Sequence, residues 1–256
     1  MIDPSGNRRP VLVSFSGIDG AGKSTQIESL HSRLSQAGLR IQRLAFWDDV
    51  AVLKRLRDLS RRTLLKGDSG IGAPNQPVDR RDKNVQTWYM NAFRYFLYFL
   101  DAAGLAIVAR KAARAPADVV IFDRYLYDEL ANLPLRSRLT RSYVHLVLKF
   151  IPQPDVAYLL DADPLQARER KPEYPLEFVQ RNRAAYLALN QMTASMTLIG
   201  ARTTPEMEDD VLREILKKLS PQQRETVSAH CNQSGAGVEP DGQSLRFQEC
   251  QRVSGL

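Results

Sequence analysis

Apolar positions along the chain switch repeatedly between a strand-like and a helical period. Val11, Leu12, Val13 and Phe15 form a short apolar run, and Ile27, Leu30, Leu34 and Ala37 then recur at helical spacing up to Gly38, which reads as a C-cap. Residues 39–45 alternate as a second strand. Val52, Leu56, Leu59 and Thr63 predict an amphipathic helix over about 50–65, and the Gly-, Pro- and Asp-rich residues 67–80 predict a loop. A long helix is then predicted over about 84–113. Trp88, Tyr89, Phe93 and Phe96 lie on one of its stripes and Tyr95, Tyr98 and Phe99 on another, so it carries apolar residues on two sides.

Residues 118–123 (DVVIFD) and 155–161 (DVAYLLD) are two further strands, each ending in a carboxylate. Asp163-Pro164 opens a helix, with Asp as N-cap and Pro at the first helical position, and Pro172 stops it. Helices are predicted over about 175–192 and 205–219, with a weak strand at 196–200 between them. From Ser220 onward core-forming residues thin out and Gln, Ser and Gly take over, the composition of a disordered tail over 220–256. The reading is therefore an N-terminal extension (1–10), one α/β domain (11–219) and that tail. Five short strands separated by helices make a parallel sheet covered on both faces, whose carboxyl-end rim collects Asp19, Asp48, Asp123 and Asp161.

The turn between the first strand and the first helix carries the chemistry. Gly17, four residues, Gly22, Lys23 and Ser24 match the spacing of a phosphate-binding loop, with the strand before it and the helix after it that such a loop requires. Glycines let backbone N–H groups approach phosphate oxygens, and the helix N-terminus adds the positive end of its dipole. Lys23 supplies a point charge for the outer phosphates and the Ser24 hydroxyl a ligand for Mg²⁺. Gly17, Asp19, Gly20, Ala21, Gly22, Lys23, Ser24 and Thr25 are the expected ATP-binding residues.

Composition refines this picture only modestly. The chain has 256 residues, of which 43% are hydrophobic, and no run is long enough to cross a membrane. Residues 1–10 lack the apolar core of a signal peptide. Its two cysteines, Cys231 and Cys250, both fall in the expected tail, so a disulfide framework is excluded and a reducing, cytoplasmic compartment fits. The formal charge of +7 is concentrated around Lys54, Arg55, Arg57, Arg61, Arg62 and Lys66. These sit on a helical pattern and read most simply as its solvated face; polyanionic substrates are the second explanation and nucleic acid the third.

In the order and spacing of these elements, residues 10–219 resemble the thymidylate kinases of the nucleoside monophosphate kinase group, and the resemblance implies a P-loop kinase fold with a short lid at about 165–177. It is sharp at Ser16 to Thr25, where Asp19 inside the loop implies a contact to the acceptor's sugar hydroxyl, and at Asp123-Arg124-Tyr125. There Arg124 is implied to hold the acceptor phosphate and Asp123 to sit near the metal. The third place runs from Leu165 to Tyr186, similar to the lid and the helix after it. The resemblance further implies ATP-dependent phosphorylation of dTMP to dTDP with Mg²⁺, by a homodimer paired through the aromatic helix. Lys23, Arg168, Arg170 and Asp123 are the implied catalytic residues, Ser24 and Asp123 the metal residues, and Asp19, Asp48, Phe99, Arg124, Tyr125 and Asn132 the acceptor site. Ala21 stands where a loop arginine could be, so neutralising the migrating phosphoryl falls to the lid, Arg168 first with Arg170 and Lys171 in reserve.

The acceptor half departs from the family pattern. Phe46-Trp47-Asp48-Asp49 replaces a Pro-containing segment with an arginine. If Phe99 is the base-stacking ring, Ala103 replaces a second arginine; Asp128 replaces a small residue, and Leu133 a glutamine beside Asn132. Three alternatives stand beside the kinase reading: a nucleoside kinase in which Asp48 is the base for a 5′-hydroxyl, a nucleotide-binding switch without transfer activity, and a nucleic-acid-binding ATPase.

Overall fold

The computed structural model describes residues 9–50 and 88–235, leaving the side chains of 50, 88–93 and 231–235 aside. The predicted helix over 50–65, the loop over 67–80 and the aromatic residues Trp88, Tyr89 and Phe93 therefore lie outside the described residues or side chains.

Among the described residues, β1 (Val11–Ser16), β2 (Ile41–Ala45), β3 (Val119–Asp123), β4 (Val156–Leu160) and β5 (Thr197–Ile199) form one sheet in the order β2-β3-β1-β4-β5. Every pairing is parallel; Phe15 of β1 stands beside Asp123 of β3 on one side and Tyr158 of β4 on the other. β1, β3 and β4 are buried almost throughout, which is why their sequences are runs of apolar residues and not alternations. Strand β2, at the edge, is only half-buried, with Arg43 exposed.

The helices are α1 (Lys23–Gln36), α2 (Trp88–Ala112), α3 (Leu126–Leu130), α4 (Arg138–Phe150), α5 (Pro164–Arg170), α6 (Leu176–Thr193), α7 (Thr204–Leu216) and α8 (Pro221–Gly235). A single π-helical turn, Phe46–Val50, comes after β2. Helix α1 buries Ile27, Leu30 and Leu34. It ends as predicted: Gly38 takes φ 82°, its N–H donates to the Ser35 carbonyl and the Leu39 N–H to that of Leu34, a Schellman closure. Helices α1, α7 and α8 pack together, while α2, α3 and α4 form a second group. Asp163 caps α5 by accepting from the N–H groups of Leu165 and Gln166 at 3.0 and 3.1 Å.

Besides the short α3, two helices among the described residues were not anticipated from sequence. α4 packs on α2 through Thr140, Val144 and Val147, and Tyr143 donates to the Tyr95 carbonyl at 2.7 Å. The second corrects the expectation of a disordered chain from Ser220. α8 begins with a reciprocal cap, the Ser220 N–H donating to Gln223 Oε1 and the Gln223 N–H to Ser220 Oγ. Gln223 also donates to Asp118 Oδ1 at 3.1 Å, Arg224 to the Leu216 carbonyl, and Val227 is fully buried. One deeply buried side chain and a satisfied N-terminus hold this segment where composition alone suggested no structure.

Candidate active site

Because all strands run one way, the carboxyl ends of β1, β2, β3 and β4 share one rim, and the residues predicted to converge there do stand at or just beyond these ends. The loop after β1 is shaped by three glycines at positive φ: Gly17 (140°), Gly20 (86°) and Gly22 (90°). Two of them are also needed for space. A Cβ on Gly17 would lie 2.5 Å from the Leu160 carbonyl oxygen, and one on Gly20 only 2.1 Å from the Ala167 carbonyl oxygen of α5. The lid thus rests directly on the loop.

Lys23, the first residue of α1, is almost buried and folds back over the loop, its ammonium donating to the carbonyls of Gly17 and Ile18 at 2.7 and 2.8 Å. Ser24 and Thr25, in the same first turn, are exposed toward solvent. From the lid, Arg170 Nη1 approaches the Gly20 carbonyl at 3.4 Å, and Lys171 Nζ lies 3.9 Å from Asp19 and 3.2 Å from Glu173. Arg168, by contrast, is tied to the Tyr174 carbonyl at 3.2 Å. Arg170 and Lys171 are the lid cations that meet the loop.

Arg124 comes directly after β3 in the left-handed region (φ 71°), a conformation costly for a side chain with a Cβ. Its N–H donates to the Phe15 carbonyl at 3.1 Å and its guanidinium pairs with Asp19. Burial opposes the Arg124 charge, and the carboxylates of Asp19 and Asp128 more than offset this, holding the group above the ordinary arginine range. Asp123 is engaged by Arg43 Nη2 at 2.9 Å, and Arg43 Nη1 in turn donates to Glu28 at 3.1 Å. Sequence reading missed Arg43; its one signal was a charged position inside a predicted strand.

The other predicted acceptor residues divide. Asn132 is buried and its amide ties the Asp128 carbonyl to α6, through 2.8 Å to the former and 3.5 Å to Asn182. Asp48 sits exposed in the π-helical turn beyond β2, beside Asp49, whose carboxylate accepts from the Ala45 N–H at 2.7 Å. Tyr125 is a core residue: its ring packs on Phe122 and Tyr127, and its hydroxyl donates to the carbonyl of Pro152, in the segment leading into β4. Phe99 is 51% exposed on the same side of α2 as Phe96 and Ile107, whereas Leu97, Tyr98 and Asp101 face inward. Tyr186 and Arg183 of α6 were not assigned roles from sequence. Tyr186 donates to Asp128 Oδ1 at 2.8 Å, and Arg183 makes a two-pronged pair with Asp161. Among the described residues there is no cluster of three or more His, Cys, Asp or Glu able to hold a metal, and no helix long and apolar enough to cross a membrane.

A phosphate-binding loop on the central strand of a parallel sheet, capped by a cationic lid and faced by an arginine at the neighbouring strand end, defines the P-loop kinase fold. No protein-family model matches the chain. Curated relatives do. It is 24% identical over 214 residues to a probable thymidylate kinase of Methanosphaera stadtmanae, covering 82% of this chain and 99% of that protein. To a thymidylate kinase of Bifidobacterium longum it is 29% identical over 189 residues (70% and 83% covered), and to a probable thymidylate kinase of Pyrococcus abyssi 27% over 220 residues (82% and 98%). The solved thymidylate kinase of Candida albicans superposes with a TM-score of 0.55 at 16% identity, covering 82% of this chain and 92% of that one. These matches relate the chain to the thymidylate kinases.

Proposed function

We propose that the protein transfers the γ-phosphoryl group of ATP to dTMP. The observation that carries this reading is the Asp19–Arg124 pair, in which a carboxylate of the donor loop grips an arginine at the next strand end, within reach of an acceptor phosphate. The relatives, named thymidylate kinases and matched over most of their length, support dTMP as that acceptor.

Phosphoryl transfer needs alignment and charge neutralisation more than covalent help. The loop N–H groups and the start of α1 hold the donor phosphates, and Lys23 exchanges the Gly17 and Ile18 carbonyls for phosphate oxygens. Arg170 and Lys171 are the lid cations closest to the loop and neutralise the migrating group. Arg124 presents a planar fork to the acceptor phosphate dianion. Ser24, exposed at the first turn of α1, and Asp123 at the end of β3, whose carboxylate here pairs with Arg43, are the residues that would hold Mg²⁺, an ion that needs few protein ligands. Held there, it would supply positive charge that offsets that of the phosphates.

The exposed apolar residues Phe96, Phe99 and Ile107 on one side of α2 support a homodimer; a monomeric mass in light scattering would refute it. A cytoplasmic location is part of the same reading. Its central test is a panel of nucleosides and nucleoside monophosphates offered with ATP and Mg²⁺, with ADP release as the readout. dTMP should be used and Lys23→Ala should abolish transfer in a folded protein. Faster turnover of thymidine than dTMP would instead make Asp48 a base and the protein a nucleoside kinase.

A further inference from the structure

Beneath Arg124 lies a second carboxylate that the proposed mechanism does not use. Asp128 is 1% exposed and stands at the end of the first turn after β3. Its Oδ2 accepts from Ser16 Oγ at 2.7 Å and from the Tyr125 N–H at 3.1 Å, and its Oδ1 accepts from Tyr186 Oη at 2.8 Å. Burial and the Asp128 charge keep the Tyr186 hydroxyl protonated, so it remains a donor. Donors from β1, from the residue capping α3 and from α6 thereby fix one carboxylate, and Arg124 Nη1 lies 4.0 Å from it.

The two anions facing Arg124 differ in kind. Asp19 holds Nη2, is 18% exposed in its side chain, and has a second cation, Lys171, 3.9 Å away. It belongs to a glycine loop and has somewhere else to go. Asp128 is locked by three donors in the interior. An acceptor phosphate that takes the guanidinium fork must compete with Asp19 for it, and at that moment the buried arginine keeps a counter-charge only if Asp128 stays in place.

Resting on the phosphate-acceptor reading above, we propose that Asp128 is a positioning residue: pinned by Ser16, Tyr125 and Tyr186, it holds Arg124 oriented while Asp19 yields to the acceptor phosphate. Asp128→Asn keeps the shape and removes the charge. With its amide oxygen left on the Tyr125 N–H, its NH₂ faces Tyr186 and the guanidinium, so Arg124 loses an anion and meets a donor.

The test is steady-state kinetics on the full chain with ATP and dTMP varied in turn, alongside thermal denaturation. Asp128→Asn should raise the dTMP KM about tenfold and leave the ATP KM within about twofold of wild type. Asp128→Ser, which removes the carboxylate and leaves a single short hydroxyl, should give the same split. In an Arg124→Ala background, Asp128→Asn should not weaken dTMP binding further by calorimetry, because the residue acts through Arg124. An unchanged dTMP KM, a parallel rise in both KM values, or failure of both variants to fold overturns the proposal and makes Asp128 structural. Wild-type protein that does not use dTMP at all refutes the parent reading and this one together; wild-type turnover with an indifferent Asp128→Asn refutes this one alone.

Discussion

Replacing Gly20 by alanine separates the two demands made on the nucleotide loop, because Gly22 supplies a matched control. Both residues have nearly the same positive φ, 86° and 90°, so either alanine should cost about 1–2 kcal/mol of backbone strain. For a domain of this size that is a Tm loss of roughly 2–8 °C. Their surroundings differ. A Cβ on Gly22 meets nothing within 4 Å, while one on Gly20 would lie 2.1 Å from a carbonyl oxygen and 2.8 Å from a carbonyl carbon of Ala167. Those are backbone atoms and cannot rotate aside, so restoring ordinary contact requires α5 to move by more than about 1 Å. The loop is clamped from below by the Leu160 carbonyl against Gly17, so the seven-residue α5 is what gives way. Limited trypsinolysis without nucleotide reads this directly, since α5 carries Arg168 and Arg170. Cleavage there should quicken in Gly20→Ala and stay at the wild-type rate in Gly22→Ala. Displacing the lid cations by this much should also lower kcat on the order of a hundredfold. Equal cleavage of the two variants would show that the lid does not rest on Gly20 in solution.

Two further outcomes concern the C-terminal helix and its anchor. Ending the chain at Leu219 removes the buried Val227 and the Gln223–Asp118 bond; at about 1.5–3 kcal/mol for the valine, Tm should fall by several degrees. A chain ending at Leu219 that melts like one ending at Gly235 would refute docking of α8. The Asp118 carboxyl is pushed up by burial but pulled down further by the Arg40 guanidinium and N–H and by Gln223, so its net shift is downward. A depressed carboxyl contributes stability above its unfolded pKa and loses it as pH falls through its folded one. The Tm advantage of wild type over Asp118→Asn should therefore be full near neutrality and shrink as pH drops below about 4; a constant difference down to about pH 2 would refute the linkage.

The features legible in the chain are those that short-range physics governs. The runs at 11–16, 119–123 and 156–160, the glycine loop, the Asp163-Pro164 cap and the Gly38 stop depend on neighbours a few residues away, and the structure reproduces each. Helix α4 carried a clear helical period in Leu139, Tyr143, Leu146, Val147 and Phe150, and packing alone decided that Val144 and Val147 turn inward while Leu139, Leu146 and Phe150 stay exposed. α8 did have a local signal, Ser220-Pro221 with Gln223 three residues after the cap, but its single buried valine leaves almost no hydrophobic period. On α2 the sequence showed two aromatic stripes, and packing alone decided that Tyr98 turns inward and Phe99 outward.

The same division runs through the site. That Lys23, Ser24, Asp19 and the glycines meet in one loop at the start of α1 was legible because loop and helix are contiguous in the chain. The partners of Asp123 and Asp128 were not: Arg43 lies 80 residues from one and Tyr186 58 residues from the other. Local sequence can state that a strand ends in a carboxylate, since that needs only a run of apolar residues and its last member. Which cation or hydroxyl meets that carboxylate depends on the strand order β2-β3-β1-β4-β5 and on the seating of α6, and these are chosen by burial of the whole core.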